Sequence, residues 1–235
     1  KGIDVFIDAL DKLNRSDFKG KNVHAFIMIP SGHNGPDKQL LSKLAGNPSG
    51  YVTRTSHYLM NPEYDAVTNR LNALNFNNAL GDKVKVYFIP SYLNGNDGIF
   101  NMSYYDLLVG LDLTIFPSYY EPWGYTPLES AAFHIPTITT NLAGFGLWVN
   151  SVLGRRGELL DGVEVISRTD SNYFDAADVI TKNICNFAAQ NQSEVDAVRK
   201  KAAKIADKAL WKCFILNYFE AYDFALQQAE KRKNV

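Results

Sequence analysis

Five short runs of apolar and β-branched residues recur along the chain, and they constrain the fold more than any other feature of the sequence. Each run is separated from the next by helical or loop material and is apolar on both faces. Strands of that kind are typical of a parallel sheet that helices cover on both sides. The pattern predicts an α/β fold with a doubly wound, Rossmann-like parallel sheet. The runs are Val23 to Ile29, Val84 to Ile89, Leu113 to Phe116, Thr137 to Thr140 and Val163 to Ile166.

Helical periodicity fills the segments between and after these runs. The first helical pattern has apolar residues at Ile3, Phe6, Ile7, Leu10 and Leu13. Further helices are predicted at Asn61 to Leu74, Tyr104 to Leu111, Thr126 to Phe133, Asp175 to Ala189, Glu194 to Lys208 and Leu210 to Lys231. Ser193 is the expected N-cap of the helix that follows it. The polar stretch 30–61 fits either a long loop or a small helical insertion.

The first helical pattern begins at once, with no strand run before it, and the first residue is Lys1 rather than methionine. We therefore interpret residues 1–235 as one domain of a longer protein. Its C-terminal helices are expected over about residues 193–235.

Charge and composition narrow the class of partner. The chain has 24 basic and 25 acidic side chains and a formal charge of −1. It therefore lacks the basic surface that nucleic acid or an anionic membrane requires, and neither is expected as a partner. No apolar run approaches the roughly 20 residues of a membrane span. Cys185 and Cys213 are too few and too far apart for a disulfide framework or a metal cluster, which favours reduced cysteines in a cytoplasmic protein.

The densest group of unusual residues runs from Phe116 to Glu129 and leads from a strand into a helix. Ligands bind at the carboxyl ends of strands in such folds, and a helix N-terminus offers free N–H groups to an anion. Gly124 leaves the backbone open to a phosphate, so the segment indicates a diphosphate site. Glu121 and Glu129 flank it and suit the hydroxyls of two sugar rings. On spacing alone they also fit structural roles, with Glu129 favouring the helix dipole and Glu121 solvated.

Several motifs, in order and spacing, resemble the C-terminal half of glycogen synthases of the fungal and animal type. They are Lys1 to Asp4, Pro90 to Asn94, Tyr104 to Gly110, Phe116 to Glu129, Ile135 to Asn141 and Gly144 to Gly146. The resemblance implies the donor-binding half of a retaining glycosyltransferase built from two Rossmann-like domains (GT-B), with the N-terminal domain lying outside this sequence.

The resemblance also implies roles for individual residues. Glu121 corresponds to the carboxylate near the transferred glucose, and Lys1 to the lysine that contacts the donor phosphates. The donor-binding residues implied are Tyr104, Gly124, Tyr125, Thr126 and Glu129. Tyr104 would stack on the nucleotide base, with its neighbour Tyr105 as the alternative. Backbone N–H groups of residues 124–126 would hold the phosphates, and Glu129 the ribose hydroxyls.

The reaction implied is transfer of glucose from UDP-glucose to the non-reducing 4-hydroxyl of an α-1,4-glucan, with the α configuration kept. No metal and no cofactor are expected, because the helix dipole and cationic side chains stabilise the charge of the leaving diphosphate. The N-terminal domain of the same protein would supply the acceptor side of the cleft. A homo-oligomer and an ADP-sugar donor both stay open.

One stretch departs from the family pattern. The eukaryotic enzymes sense glucose 6-phosphate through an arginine-rich helix near the C-terminus. The corresponding stretch, Val195 to Leu210, has Arg199, Lys200, Lys201 and Lys204. Because lysine does not replace arginine in bidentate phosphate binding, we interpret this run as a solvated helix face.

Other classes of function have less support in the sequence. Gly144 and Gly146 imitate a dinucleotide fingerprint, but Val149 stands where a third glycine belongs, which argues against a dehydrogenase. Ser118 lacks the flanking glycines of a nucleophile elbow, which argues against a hydrolase. The histidines, His24, His33, His57 and His134, have no metal-ligand spacing. The remaining alternative is a module that binds a nucleotide or nucleotide sugar without catalysis.

Overall fold

The computed structural model describes residues 1–46 and 53–233. Within them the helices are α1 (Ile3–Arg15), α2 (Lys38–Ala45), α3 (Ala66–Ala73), α4 (Tyr104–Leu108), α5 (Tyr125–Ala132), α6 (Gly144–Leu153), α7 (Tyr173–Ala188), α8 (Gln192–Lys208) and α9 (Trp211–Lys233). The strands are β1 (Val23–Met28), β2 (His33–Pro36), β3 (His57–Leu59), β4 (Val84–Ile89), β5 (Thr114–Ile115), β6 (Thr137–Thr140) and β7 (Val163–Ile166). Two 3₁₀ turns span Pro62–Tyr64 and Leu159–Asp161.

The five predicted strands all form, and they pair in parallel. β1 pairs with β4 along its whole length, and β5, β6 and β7 form a three-stranded sheet in that order. β2 and β3 make a separate antiparallel pair. The predicted α/β class with parallel strands is therefore confirmed.

The larger of two apolar clusters joins the two parallel sheets. Helix α1 lies against α7, and their inward faces meet residues from both sheets, so the strands of β1–β4 and β6–β7 share one interior. Its fully buried side chains include Ile7, Leu10, Val86, Phe88, Ile138, Ile166 and Ile180. A second cluster lies between α5, α6, β7 and α8. This arrangement fixes the carboxyl edge of β5–β6–β7 against the start of α1.

At two of the helix starts that differ from the predictions, local capping explains the difference. The predicted helix 61–74 is divided, because the Asp65 carboxylate accepts a hydrogen bond from the Thr68 N–H at 2.8 Å and α3 starts there. Ser193 is not the N-cap of α8. Asn191 is, since its side chain accepts from the Glu194 N–H at 3.1 Å and the Glu194 carboxylate accepts from the Asn191 N–H at 2.8 Å. This capping box begins α8 at Gln192.

The unassigned stretch 30–61 holds β2, α2 and β3, which makes it an insertion with both a short sheet and a helix. Its residues 47–52 lie outside the described residues. Of the helices described, none is long and apolar enough to cross a membrane.

Candidate active site

The loop between β5 and α5 forms the centre of the site. Gly124 has φ +106°, a backbone conformation that residues other than glycine rarely adopt, and it turns the chain into α5. Tyr125 and Thr126 follow it on the exposed first turn. In the described part of the chain no side chain caps this helix start. Residues 124–126 therefore present N–H groups and the positive end of the helix dipole at the sheet edge.

Lys1 and Glu121 meet beside this helix start. The Lys1 Nζ lies 2.6 Å from the Glu121 Oε2, although the two residues are 120 positions apart. Gly2 makes the approach possible, because it has φ +79° and a Cβ there would overlap the Pro117 carbonyl oxygen. The lysine side chain stays 70% exposed and the glutamate 28% exposed, so both remain accessible to a ligand. An exposed pair of this kind contributes little to stability.

Glu129 lies within α5, and its partner is a tyrosine. The Tyr105 hydroxyl donates to the Glu129 Oε1 at 2.9 Å. This hydrogen bond, followed by the charge of Glu129, raises the pKa of Tyr105. The Tyr105 ring also stacks on Phe133, with ring centroids 5.4 Å apart. Tyr105 is therefore a neutral donor that orients the Glu129 carboxylate.

Tyr104 lies next to Tyr105, with ring centroids 5.4 Å apart. Burial, and then the charge of Glu129, raises the pKa of Tyr104 to about 12. Ser103 positions both rings, because its hydroxyl caps α4 by accepting from the Asp106 N–H at 3.3 Å. Both aromatic candidates from the sequence thus lie on the first turn of α4, with Tyr104 the more buried of the two.

The segment after β6 holds the Glu121 backbone from the other side. The Glu121 N–H donates to the Leu142 carbonyl at 3.2 Å, and the Glu121 carbonyl accepts from the Gly144 N–H at 3.1 Å. A Cβ on Gly144 would overlap the Pro122 carbonyl oxygen, and one on Gly146 the Thr140 carbonyl oxygen. Close backbone approach therefore explains this glycine pair without a dinucleotide.

Arg168 is a site residue that sequence reasoning missed. It follows β7 and is only 6% exposed, and its Nη1 donates to the Pro117 carbonyl at 3.1 Å. Its guanidinium carbon lies 5.2 Å from the centre of the Tyr119 ring. The sequence does place Arg168 just after a predicted strand, at the edge of the sheet where Glu121 was expected, and this position could have indicated a role at the site.

Trp123 was also passed over as a contact residue. Its ring packs against Phe145, Trp148 and Phe214, so the site loop is anchored to α6 and to the first turn of α9. The sequence shows the aromatic residues in each of these segments, but it does not show that the segments pack against one another.

The basic run on α8 lies at the opposite end of α5. Lys200, Lys201 and Lys204 are exposed, as expected of a solvated face. Arg199 is half-buried and donates to the Leu111 carbonyl at 2.9 Å. With Lys200, His134 and Asp196 it lines a shallow cavity of about 550 Å³. Among the described residues, no three His, Cys, Asp or Glu side chains are placed to hold a metal ion.

A family model described as glycogen synthase matches residues 43–234 of this chain. The chain belongs to the glycogen synthase family. This confirms the resemblance that the motifs indicate. The match includes all the site residues discussed above except the segment at Lys1 and Gly2.

Curated relatives within the glycogen synthase family show the same likeness. The chain is 29% identical over 174 residues to a Neurospora crassa glycogen [starch] synthase, covering 74% of this chain and 24% of that protein. It is 29% identical over 175 residues to the human liver glycogen [starch] synthase, covering 74% and 25%. The chain thus spans about a quarter of the length of the curated relatives it matches. Among solved structures, WaaG, a glycosyltransferase involved in lipopolysaccharide biosynthesis, has 16% identity and a TM-score of 0.41, covering 87% of this chain and 46% of that one.

Proposed function

We propose that this chain is the donor-binding half of a retaining GT-B glucosyltransferase of the glycogen synthase family. It would bind UDP-glucose, and the protein would transfer the glucose to the non-reducing 4-hydroxyl of an α-1,4-glucan. One observation carries the proposal: two carboxylates, Glu121 and Glu129, flank an uncapped helix start, and each is held by a donor from another element.

The helix start suits the diphosphate of the donor. The N–H groups of residues 124–126 belong to the uncapped start of α5, where Tyr125 and Thr126 are exposed, and Gly124 adds no side chain to obstruct them. Lys1 supplies a positive charge beside Glu121, and its side chain is 70% exposed. When the bond between glucose and diphosphate breaks, negative charge develops on the leaving group. The dipole and the ammonium stabilise that charge without a metal ion.

The two acids suit the two sugars at either end of the diphosphate. Glu129 and Tyr105 lie on the side of α4, where Tyr104 offers an aromatic surface to a base. We assign Glu129 to the ribose hydroxyls and the aromatic pair to the uracil. Glu121 then faces the glucose on the other side of the helix start.

Glu121 would orient the glucose and stabilise positive charge at its anomeric carbon, because a carboxylate there favours an oxocarbenium-like transition state. Its carboxylate pairs with the Lys1 ammonium at 2.6 Å. Arrival of the diphosphate gives Lys1 a stronger anionic partner. We infer that the lysine then turns to the phosphates, which leaves the Glu121 carboxylate free to act on the sugar.

We also propose that an N-terminal domain of the same protein closes over the donor and that a glucan is the acceptor. The location proposed for the protein is cytoplasmic. The alternative is a module that holds a nucleotide sugar without turning it over. Both functions predict UDP binding, so binding alone does not separate them.

The test combines titration and elongation. By calorimetry, we expect the 235-residue chain to bind UDP at most weakly, and NADH not at all, and to add no glucose to a glycogen primer. A longer protein that includes the N-terminal domain should bind UDP-glucose and elongate the primer. Elongation by this chain alone would refute the division into two halves. UDP binding without elongation by the longer protein would favour the binding module.

A further inference from the structure

Arg168 is a buried cation that has no acidic partner among the described residues. Its side chain is 6% exposed, and its Nε has no hydrogen-bond partner in the described structure. Of the carboxylates in residues 1–46 and 53–233, none forms an ion pair with it. A buried charge without a carboxylate is costly. A simple contribution to stability is therefore a poor explanation for an arginine at this position.

The contacts of Arg168 close a ring through three loops. Its backbone N–H donates to the Asn141 side chain after β6 at 2.6 Å. Its Nη1 donates to the Pro117 carbonyl after β5 at 3.1 Å. The ring is completed by the Thr140 hydroxyl, which donates to the Ser118 carbonyl at 2.7 Å. The carboxyl ends of β5, β6 and β7 are thus joined by side chains rather than by the sheet alone.

The Pro117 carbonyl also contacts the residue that precedes α1. A Cβ on Gly2 would overlap the Pro117 oxygen and would lie 3.2 Å from the Arg168 Nη1. Arg168 therefore supports both the residue next to Lys1 and the loop that leads, through Tyr119, to Glu121. Its guanidinium lies 5.2 Å from the Tyr119 ring centre, a cation–π distance.

We propose that Arg168 is a positioning residue, which fixes the Pro117 carbonyl so that Lys1 and Glu121 meet across the donor site. It touches neither substrate nor reacting atoms in this role. Its relevance to glucosyl transfer rests on the proposed function, but its effect on the Lys1–Glu121 distance does not. Arginine suits the task because its planar fork can donate to a carbonyl while its face covers an aromatic ring.

A zero-length cross-link measures that distance directly. A water-soluble carbodiimide activates a carboxylate, and an amine in contact with it then forms an amide, which mass spectrometry detects. In the unaltered chain we expect a cross-link between Lys1 and Glu121. A second pair, Lys12 and Asp178, joins α1 to α7 away from Arg168 and serves as the internal standard.

The test variants are Arg168→Met and Arg168→Lys. Relative to the Lys12–Asp178 cross-link, the Lys1–Glu121 yield should fall about tenfold with methionine, because an unfixed loop leaves its charged groups misplaced. The yield should fall less in Arg168→Lys, because the lysine ammonium can still donate to the Pro117 carbonyl. Arg54→Met is the matched control, since Arg54 also donates to a backbone carbonyl, that of Phe76, at 2.8 Å, but in the segment between α3 and β4.

Kinetics in the longer protein extend the test. The kcat for glucosyl transfer should fall about 100-fold in Arg168→Met with KM for UDP-glucose within about threefold, since misplacement of a catalytic pair acts mainly on the chemical step. A purely structural role would instead lower the amount of folded protein and leave kcat per folded molecule unchanged.

The outcomes are separable. An unchanged Lys1–Glu121 yield in folded Arg168→Met overturns the proposal, and so does an equal fall in Arg54→Met. If methionine prevents folding, the same criterion applies to Arg168→Lys. A selective loss of the cross-link supports the proposal even if the longer protein transfers no glucose, and that second result would reject the proposed function alone.

Discussion

At the scale of single residues, Glu121 and Glu129 carry the same group but meet different partners. A lysine ammonium faces the first, and a tyrosine hydroxyl held neutral by its raised pKa faces the second. The first is an ion pair that an arriving anion can break, whereas in the second the donor is an uncharged hydroxyl, which attracts a phosphate less strongly than an ammonium does. The two carboxylates are therefore suited to different tasks within one site.

This difference predicts separate effects of substitution. In the longer protein, Glu121→Ala should reduce glucosyl transfer by about 1,000-fold or more while UDP affinity stays within about threefold, because the lost charge acts in the transition state. Tyr104→Ala should weaken UDP about tenfold, the worth of one base–aromatic stack. Calorimetry with UDP and a primer-elongation assay measure both quantities.

Tyr104→Phe is the control, since it keeps the ring and should keep the affinity. Tyr105→Ala tests the neighbouring ring in the same way. Equal losses of UDP affinity in the Glu121 and Tyr104 variants would contradict the division of roles proposed here.

At the scale of secondary-structure elements, the start of α8 is a measurable correction to the sequence prediction. Asn191→Ala removes a side chain that caps the helix and should lower the free energy of unfolding by about 1 kcal/mol. Ser193→Ala is the matched control and should change it by less than about 0.5 kcal/mol, as at an ordinary exposed position. Urea denaturation followed by circular dichroism compares them. The reverse order of the two losses would reinstate Ser193 as the cap.

The elements best predicted from sequence are those whose signal is local. β4, β6 and β7 begin and end at the predicted residues, because each run is rich in β-branched and apolar residues and is bounded by a proline, a glycine or a polar residue. The cap of α8 was misplaced because a serine just before a predicted start is a strong signal. The decisive partner, the Glu194 carboxylate, also fits Asn191 three residues earlier.

For the site, too, only the features with a local signal could be predicted from the sequence. The helix start at Gly124 and the two flanking acids follow from local sequence. The approach of Lys1 to Glu121 does not, because it depends on packing between α1 and the β5 loop, and only the family resemblance pointed to it. Arg168 was missed because a lone arginine after a strand is typical of the surface. Its burial arises from contacts with Pro117 and Tyr119 that no spacing in the chain reveals.

At the scale of the whole molecule, α9 touches the rest of the chain mainly through its first turns. Phe214 packs against Trp123 and Trp148, with ring centroids 5.8 and 5.7 Å away. Farther along the helix, large apolar side chains such as Phe219, Tyr222 and Phe224 are exposed. The aromatic cluster therefore joins the C-terminal helix to the loop that carries Glu121.

Phe214→Ala should release α9 without unfolding the sheets. We expect trypsin to cleave within α9 about tenfold faster, because losing two aromatic contacts lowers the free energy of local opening. Cleavage elsewhere should keep its rate, as read by mass spectrometry over time. Phe219→Ala is the control on the same helix and should leave cleavage unchanged, since its ring is 53% exposed. Equal acceleration in both variants would mean that the cluster does not hold α9.

The contact between Gly2 and the Pro117 oxygen also bears on how this protein tolerates genetic change. Lys1 is largely exposed and looks replaceable, yet the next position has no volume for even a methyl group. In a saturation library scored for folding, the position of Gly2 should accept glycine alone, whereas the position of Lys1 should accept many residues. Design of new variants should therefore keep Gly2 fixed, because any side chain there displaces the start of α1 from the Pro117 loop.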